Sequence, residues 1–140
     1  MSEIEIINLV PHIDEDLVCY KVCALEIDGE CLFIDSKIDL MEHQTQSHSP
    51  IQGFDDLFER IALDPLGPSS LTKKGLCVPA EPNKEIYRIR KGDYRVFWFY
   101  GKEKIIICSQ ITDKRYDKHK KRHIDKAKEI RNAYIEKYND

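Results

Sequence analysis

Between Ile86 and Arg122 the chain reads IYRIR, a Lys91-Gly92-Asp93 turn, YRVFWFY, a turn containing Gly101, KIIICSQI, and the cationic run TDKRYDKHKKR. Tyr, Ile, Val, Phe and Trp suit a pleated, half-buried surface, and turns this short force each run back alongside the one before. An antiparallel three-stranded meander that ends in cations is therefore the expected centre of the fold.

Two amphipathic helices flank it. Phe54, Leu57, Phe58 and Ile61 fall on one helical face with Asp55, Asp56, Glu59 and Arg60 opposite, which predicts a helix over residues 53–63 that Pro65 stops. Ile124, Ala127, Ile130, Tyr134 and Tyr138 share a face and predict a second helix over residues 120–138. The class is α+β: a small antiparallel or mixed sheet packed by a helix on its N-terminal side and a C-terminal helix. Residues 64–83 hold four prolines with Gly67 and Gly75, so irregular backbone carrying Lys73 and Lys74 is expected there.

The first fifty residues are less regular. EIEIINLV is a short strand or a loose arm that Pro11 closes, and LVCYKVCALEI, Asp28-Gly29 and CLFI together predict a hairpin over residues 17–34. Ser36 and Asp39 could cap a short helix that the polar run from His43 ends, leaving His43 and His48 in a loop. A chain of 140 residues suits one domain, 1–140, with residues 1–50 as a hairpin extension.

No apolar run approaches the roughly 18 residues that span a bilayer, and Glu3 and Glu5 stand where a signal peptide carries cations, so a cytoplasmic protein without a membrane partner is expected. Cys19, Cys23, Cys31, Cys77 and Cys108 form an odd set with no disulfide-framework spacing and no C-x-x-C pair. They are expected to be reduced and mostly buried as small hydrophobes, in preference to a soft metal site.

The formal net charge of −3 conceals an asymmetry. Residues 1–83 hold 16 acids against 5 Lys/Arg, a balance of −11, and residues 84–140 hold 9 acids against 17 Lys/Arg, a balance of +8. A localised anion-binding surface in the second half is the implication, with a solvated charged helix as the alternative.

Strand alternation gives that surface a location. Arg88 and Arg90 lie two apart and project from one face of one strand, beside a second strand that carries Arg95. Guanidiniums gathered without carboxylates repel, unless the surface is wet or an anion sits on it; neutralisation by Asp93, Glu85 or the acidic first half is the alternative. A planar guanidinium suits phosphate because it donates two parallel hydrogen bonds and stays protonated. Lys114, Arg115, Tyr116, Lys118, His119, Lys120, Lys121, Arg122 and His123 follow the third strand and add cations and titratable groups.

His119 and His123 are four apart and could be read as a metal pair, but no Glu completes an H-E-x-x-H motif and the surrounding cations repel a divalent ion. Acid–base work at neutral pH suits an imidazole there better, with plain surface histidines as the alternative. No metal or cofactor is expected. The aromatic run from Tyr94 to Tyr100 could stack on bases, although packing on helices is the commoner use, and at least Phe97 or Trp98 should be core.

I-Y-R-I-R, G-D-Y-R-V-F-W-F-Y, I-I-I-C, D-K-R and the final Ala-containing helix resemble the RelE/ParE/HigB superfamily of bacterial toxins in type II toxin-antitoxin systems, most closely its HigB-like, phage-related branch. The resemblance covers about residues 53–138. It implies a RelE-like fold and a hydrolase: a metal-independent endoribonuclease that cuts messenger RNA, commonly on the ribosome, and is held inactive by a cognate antitoxin as a monomer or an antitoxin-linked oligomer. By the same resemblance Arg95 stabilises charge on the reacting phosphate with Arg88 and Arg90, and Lys114 or Arg115 is the basic residue after the last strand. His119 or Tyr116 transfers protons. Apart from that correspondence, Lys118, Lys121, Arg122, His123, Lys73 and Lys74 are expected to extend the RNA- or phosphate-binding surface. A catalytically inactive interaction module on the same fold and a gyrase-directed ParE-like toxin are the alternatives.

Overall fold

The computed structural model describes residues 3–43, 49–75, 77–80, 85–113 and 120–138. In chain order the elements are β1 (Ile4–Asn8), β2 (Lys21–Ile27), α1 (Leu32–His43), α2 (Ser49–Leu63), β3 (Cys77–Pro79), β4 (Tyr87–Lys91), β5 (Tyr94–Tyr100), β6 (Ile105–Asp113) and α3 (Lys120–Tyr138), with 3-10 segments at Glu15–Leu17 and Gly67–Lys74. The strands form one six-stranded sheet in the order β1-β2-β6-β5-β4-β3, antiparallel except where β2 meets β6. The α+β class and the β4–β5–β6 meander are as the sequence predicts.

Continuous apolar character along β5 follows from burial on both sides, because helices cover both faces of the sheet. On one face Trp98, Val96, Tyr94, Ile89 and Ile106 pack under Phe33 of α1 and Phe54, Phe58 and Ile61 of α2. On the other, Phe97, Phe99 and Ile107 pack under Ile124, Ala127, Ile130 and Tyr134 of α3. Phe97 and Trp98 are both core. The C-terminal end of α3 is tied down twice, by the Lys102 N–H donating to the Tyr134 hydroxyl at 3.0 Å and by Lys137 Nζ donating to the Ile4 carbonyl at 2.8 Å.

The hairpin expected over residues 17–34 is the main correction. Its turn forms, with Asp28 and Gly29 at φ 51° and 84°, but CLFI does not return as a strand; Leu32–Ile34 begin α1. Both edges of β2 are already taken, by β1 and by β6, so a returning strand has no place to pair. α1 lies instead beside β6, where β2 pairing stops at Cys108, and there the Ser36 hydroxyl accepts from the Ile111 N–H at 3.1 Å. A helix thus covers a stretch of sheet edge that would otherwise be open.

Three smaller corrections follow. His43 closes α1 and is not a loop residue, while His48 lies outside the described residues. α2 starts four residues earlier than the periodicity indicated, with Pro50 in its first turn, where a missing N–H costs nothing. Part of the expected irregular stretch is ordered: Pro68 opens the 3-10 segment, Gly75 ends it in the left-handed region at φ 68°, and β3 adds the outer strand. Gly67 is also required by contact, since a Cβ there would sit 2.5 Å from the Tyr20 ring.

All five cysteines are free, and four are buried. Burial pushes the Cys23 thiol up to about 11 and the Cys77 thiol up to about 12, and also raises Cys108 well above the ordinary thiol value. Cys19 alone is half-exposed. Native protein at pH 8 is therefore expected to react at one thiol with a thiol-specific reagent, and at five after denaturation. Because these folded thiols titrate above their unfolded value near 9, their contribution to stability is complete below pH 9. It should be lost as pH rises from 9 towards 12, visible as alkaline unfolding that masking of Cys19 does not alter.

Candidate functional site

β4 and β5 pair with Arg88 opposite Phe97 and Arg90 opposite Arg95, so all three arginines share the face that carries α3. Near the start of that helix the His123 ring lies 5.7 Å from the Phe97 ring. Arg95, the next position of β5 on this face, lies past that contact and is half-buried. Two facts of local sequence set this up: an apolar strand whose alternation switches to arginine at one end, and a helix whose apolar stripe starts at Ile124.

Arg95 Nη1 donates to the carbonyls of Gly92 at 2.7 Å and Tyr94 at 2.8 Å, which fixes the guanidinium against its own turn. Arg90 Nε donates to the Gly75 carbonyl at 2.8 Å, and Arg88 Nε is buried without a hydrogen-bond partner. Burial holds Arg95 below the ordinary arginine value, the charges of Arg88 and Arg90 lower it further, and Asp93 acts in the opposite sense. Among the described residues no carboxylate forms an ion pair with any of the three, and Glu85 pairs with Arg131 at 3.8 Å. A cluster of this kind is electrostatically incomplete, and an anion such as phosphate would complete it.

Lys121 and Arg122 are exposed in the first turn of α3, which has no acidic residue to offset the positive end of the helix dipole. His123 is half-buried with its ring against Phe97. The chain between β6 and α3 holds Lys114, Arg115, Tyr116, Lys118 and His119, all outside the described residues. The backbone of Lys73 and Lys74 ends the 3-10 segment next to Gly75, the residue that accepts from Arg90; their side chains are outside the description. The fold thus brings Arg88, Arg90 and Arg95 together and starts α3, with Arg122 and His123, beside them.

Alternation along the sequence missed two residues, Gln110 and Thr112. Phe97 pairs with Gln110 but Trp98 with Cys108, so Ser109 is an extra residue in β6, its hydroxyl donating to the Phe97 carbonyl at 3.0 Å. Such a bulge reverses the parity of everything beyond it. Cys108 points to the α1 and α2 side while Gln110 and Thr112 point to the α3 side, where Thr112 is the register partner of Arg95. The detectable signal was the adjacent polar pair Ser109-Gln110 interrupting a buried run.

These residues line a groove of about 470 Å³ between α1 and the start of α3 that holds both cations, Arg122 and Lys126, and carboxylates, Asp39 and Asp113, beside Leu32, Ser36, Leu40, Ile111 and His123. Among the described residues no group of three His, Cys, Asp or Glu side chains is placed to hold a metal ion. No family model, no curated protein and no solved structure matches this chain.

Proposed function

We propose that this chain is a RelE-like endoribonuclease of the RelE/ParE/HigB type, cutting messenger RNA and restrained by a partner antitoxin. One observation carries the reading: three guanidiniums share one end of one sheet face with no carboxylate ion pair among the described residues. Of the acidic first half, Asp39 of α1 lines the groove beside Arg122, whereas the acids of α2 lie farther off. The exposed Asp55 and Asp56 belong to α2, on the opposite face, and a packed layer of about 10 Å together with a screening length near 8 Å separates them from the arginines.

In the proposed reaction the RNA 2′-hydroxyl attacks the adjacent phosphorus, its proton passing to a base. The phosphorane oxygens then carry more charge than the phosphodiester did, and Arg95, fixed by two backbone carbonyls, stabilises that increment beside Arg88 and Arg90. The bond to the 5′-oxygen breaks, that oxygen takes a proton, and a 2′,3′-cyclic phosphate and a free 5′-hydroxyl result. The family resemblance assigns the proton transfers to Tyr116 or His119.

The test is purified chain on single-stranded RNA in the presence of EDTA, with the ends of the fragments mapped. Cleavage giving cyclic phosphate and 5′-hydroxyl ends is expected, with growth arrest on induced expression in bacteria. RNA bound with a steep salt dependence but left intact would replace this reading with a binding module. DNA damage signalling without RNA cleavage would replace it with a gyrase-directed toxin.

A further inference from the structure

The two edges of the sheet are built differently. β3 is three residues long and ends on Pro79, and both features blunt an edge. β1 has five residues and no proline. Its hydrogen-bond phase is set by the Asp28 N–H donating to the Glu3 carbonyl at 2.8 Å and the Leu9 N–H donating to the Val22 carbonyl at 2.9 Å. Residues paired across an antiparallel ladder exchange bonds at every second position, so Glu5 and Ile7 face β2. The N–H and C=O groups of Ile4, Ile6 and Asn8 therefore point away from the sheet. Lys137 Nζ donates to the Ile4 carbonyl, and among the described residues no group bonds those of Ile6 and Asn8.

The surrounding side chains define what an added strand must carry. The first twenty residues hold Glu3, Glu5, Asp14, Glu15 and Asp16 and no Lys or Arg. Glu5 is the register partner of Glu26, and both lie on the face of Ile7 and α1, with no ion pair to either among the described residues. Like charges directly opposite one another on a sheet repel, and a cation beside them removes the cost. On the other face Ile6 is 39 % exposed, beside a groove of about 590 Å³ at the Asn8 end of the edge. Ile13 lines it with three carboxylates, Glu15, Asp16 and Glu103, and two ammoniums, Lys21 and Lys104, the latter 5.9 Å from the Tyr20 ring. That lining suits a side chain with an apolar stem and a cationic head.

We propose that β1 is the docking edge for an extended cationic segment of another protein, which adds antiparallel as a seventh strand. Arg or Lys stands opposite Glu5 and opposite Asn8, and apolar residues stand opposite Ile6 and Ile7. Backbone bonds to Ile6 and Asn8 hold the segment, and the carboxylates on either face select it. A second copy of this chain fits the backbone but not the charge: pairing β1 with itself about Ile6 sets Ile7 opposite Glu5, gathers the glutamates of both copies on one face and supplies no cation. The edge lies three strands from β5 and four from β4, roughly 14–19 Å at the usual strand spacing, so this docking is separate from the arginine cluster and does not rest on the RNA reading.

The probe is a fluorescein-labelled peptide, Thr-Arg-Val-Ile-Arg-Thr with Gly-Ser at each end, compared with the same peptide carrying Glu for both Arg. By fluorescence anisotropy with the whole chain, the Arg peptide is expected to bind at least about tenfold more tightly, and less tightly as salt rises. Glu5→Lys alters an exposed side chain and should cut that ratio to less than about threefold. Ile6→Pro deletes one outward N–H and should weaken the Arg peptide about tenfold. In the unaltered protein the Arg peptide should slow hydrogen exchange at the amides of Ile6 and Asn8 and leave residues 88–95 unchanged. Equal affinity for the two peptides, no binding of the Arg peptide, or protection away from β1 overturns the proposal. Protection of Ile6 and Asn8 that rises with protein concentration in the absence of peptide assigns the edge to a second copy and overturns it as well. None of these results bears on whether the chain cleaves RNA.

Discussion

Replacement of Arg95 with alanine is expected to lower RNA turnover about 100- to 1000-fold without loss of the fold, the usual cost of removing one key donor from a developing oxyanion. The magnitude follows from how the side chain is held. Two carbonyl acceptors on one guanidinium nitrogen fix its position before substrate arrives, so little reorganisation is needed when charge builds on phosphorus. The fold should survive because Arg95 is partly desolvated and repelled by Arg88 and Arg90, so its removal relieves both effects. Arg95→Lys should recover only part of the rate, since an ammonium keeps the charge but loses the planar fork. Single-turnover cleavage of a labelled RNA, paired with thermal unfolding of each variant, makes the comparison. Arg95→Ala turnover within a few-fold of the unaltered chain would remove Arg95 from the proposed mechanism.

Trp98→Ala should be the most damaging single substitution for stability, at about 3–5 kcal/mol. Trp98 is completely buried at the centre of the sheet, stacked on Tyr87 at 4.7 Å and meeting Tyr100 edge-on at 4.9 Å. Truncation there removes the largest of the fully buried side chains and both aromatic contacts, and leaves a cavity against α2 that a sheet packed on two faces cannot easily close. Trp98→Phe should cost much less, because a phenyl ring keeps most of the buried aromatic volume and Nε1 makes no hydrogen bond of normal geometry that would be lost. Urea unfolding followed by far-ultraviolet circular dichroism separates the two. A Trp98→Ala midpoint close to that of the unaltered chain would show that β5 does not organise the core. As the chain has one tryptophan, its fluorescence in the unaltered protein reports the same transition independently.

The local code was clear wherever a pattern and its packing agreed. YRVFWFY is apolar at successive positions, as a strand covered on both faces must be, and the stripe from Ile124 to Tyr134 has the helical period of the face it buries. Elsewhere the sequence was ambiguous. CLFI has strand composition, but composition cannot tell a returning hairpin strand from the first turn of a helix, and only pairing of β2 on both edges excluded the strand. The phase of β6 was similarly hidden, since one inserted residue reverses every side chain beyond it and an extra Ser leaves no periodic trace in so short a run.

By itself, then, the sequence determined the α+β class, the meander, the two-residue spacing of Arg88 and Arg90, and the division into an acidic and a basic half. Each depends on neighbours along the chain, where side-chain period and turn chemistry decide the outcome. Only the tertiary structure decided that the acidic α2 lies across the sheet from the arginines, that the apolar stripe of α3 packs on Phe97 and Phe99, and that the bulge at Ser109 turns Gln110 and Thr112 to the side of Arg95. Those are relations between residues far apart in the chain, set by which faces must be buried together and by which strand edges are already paired.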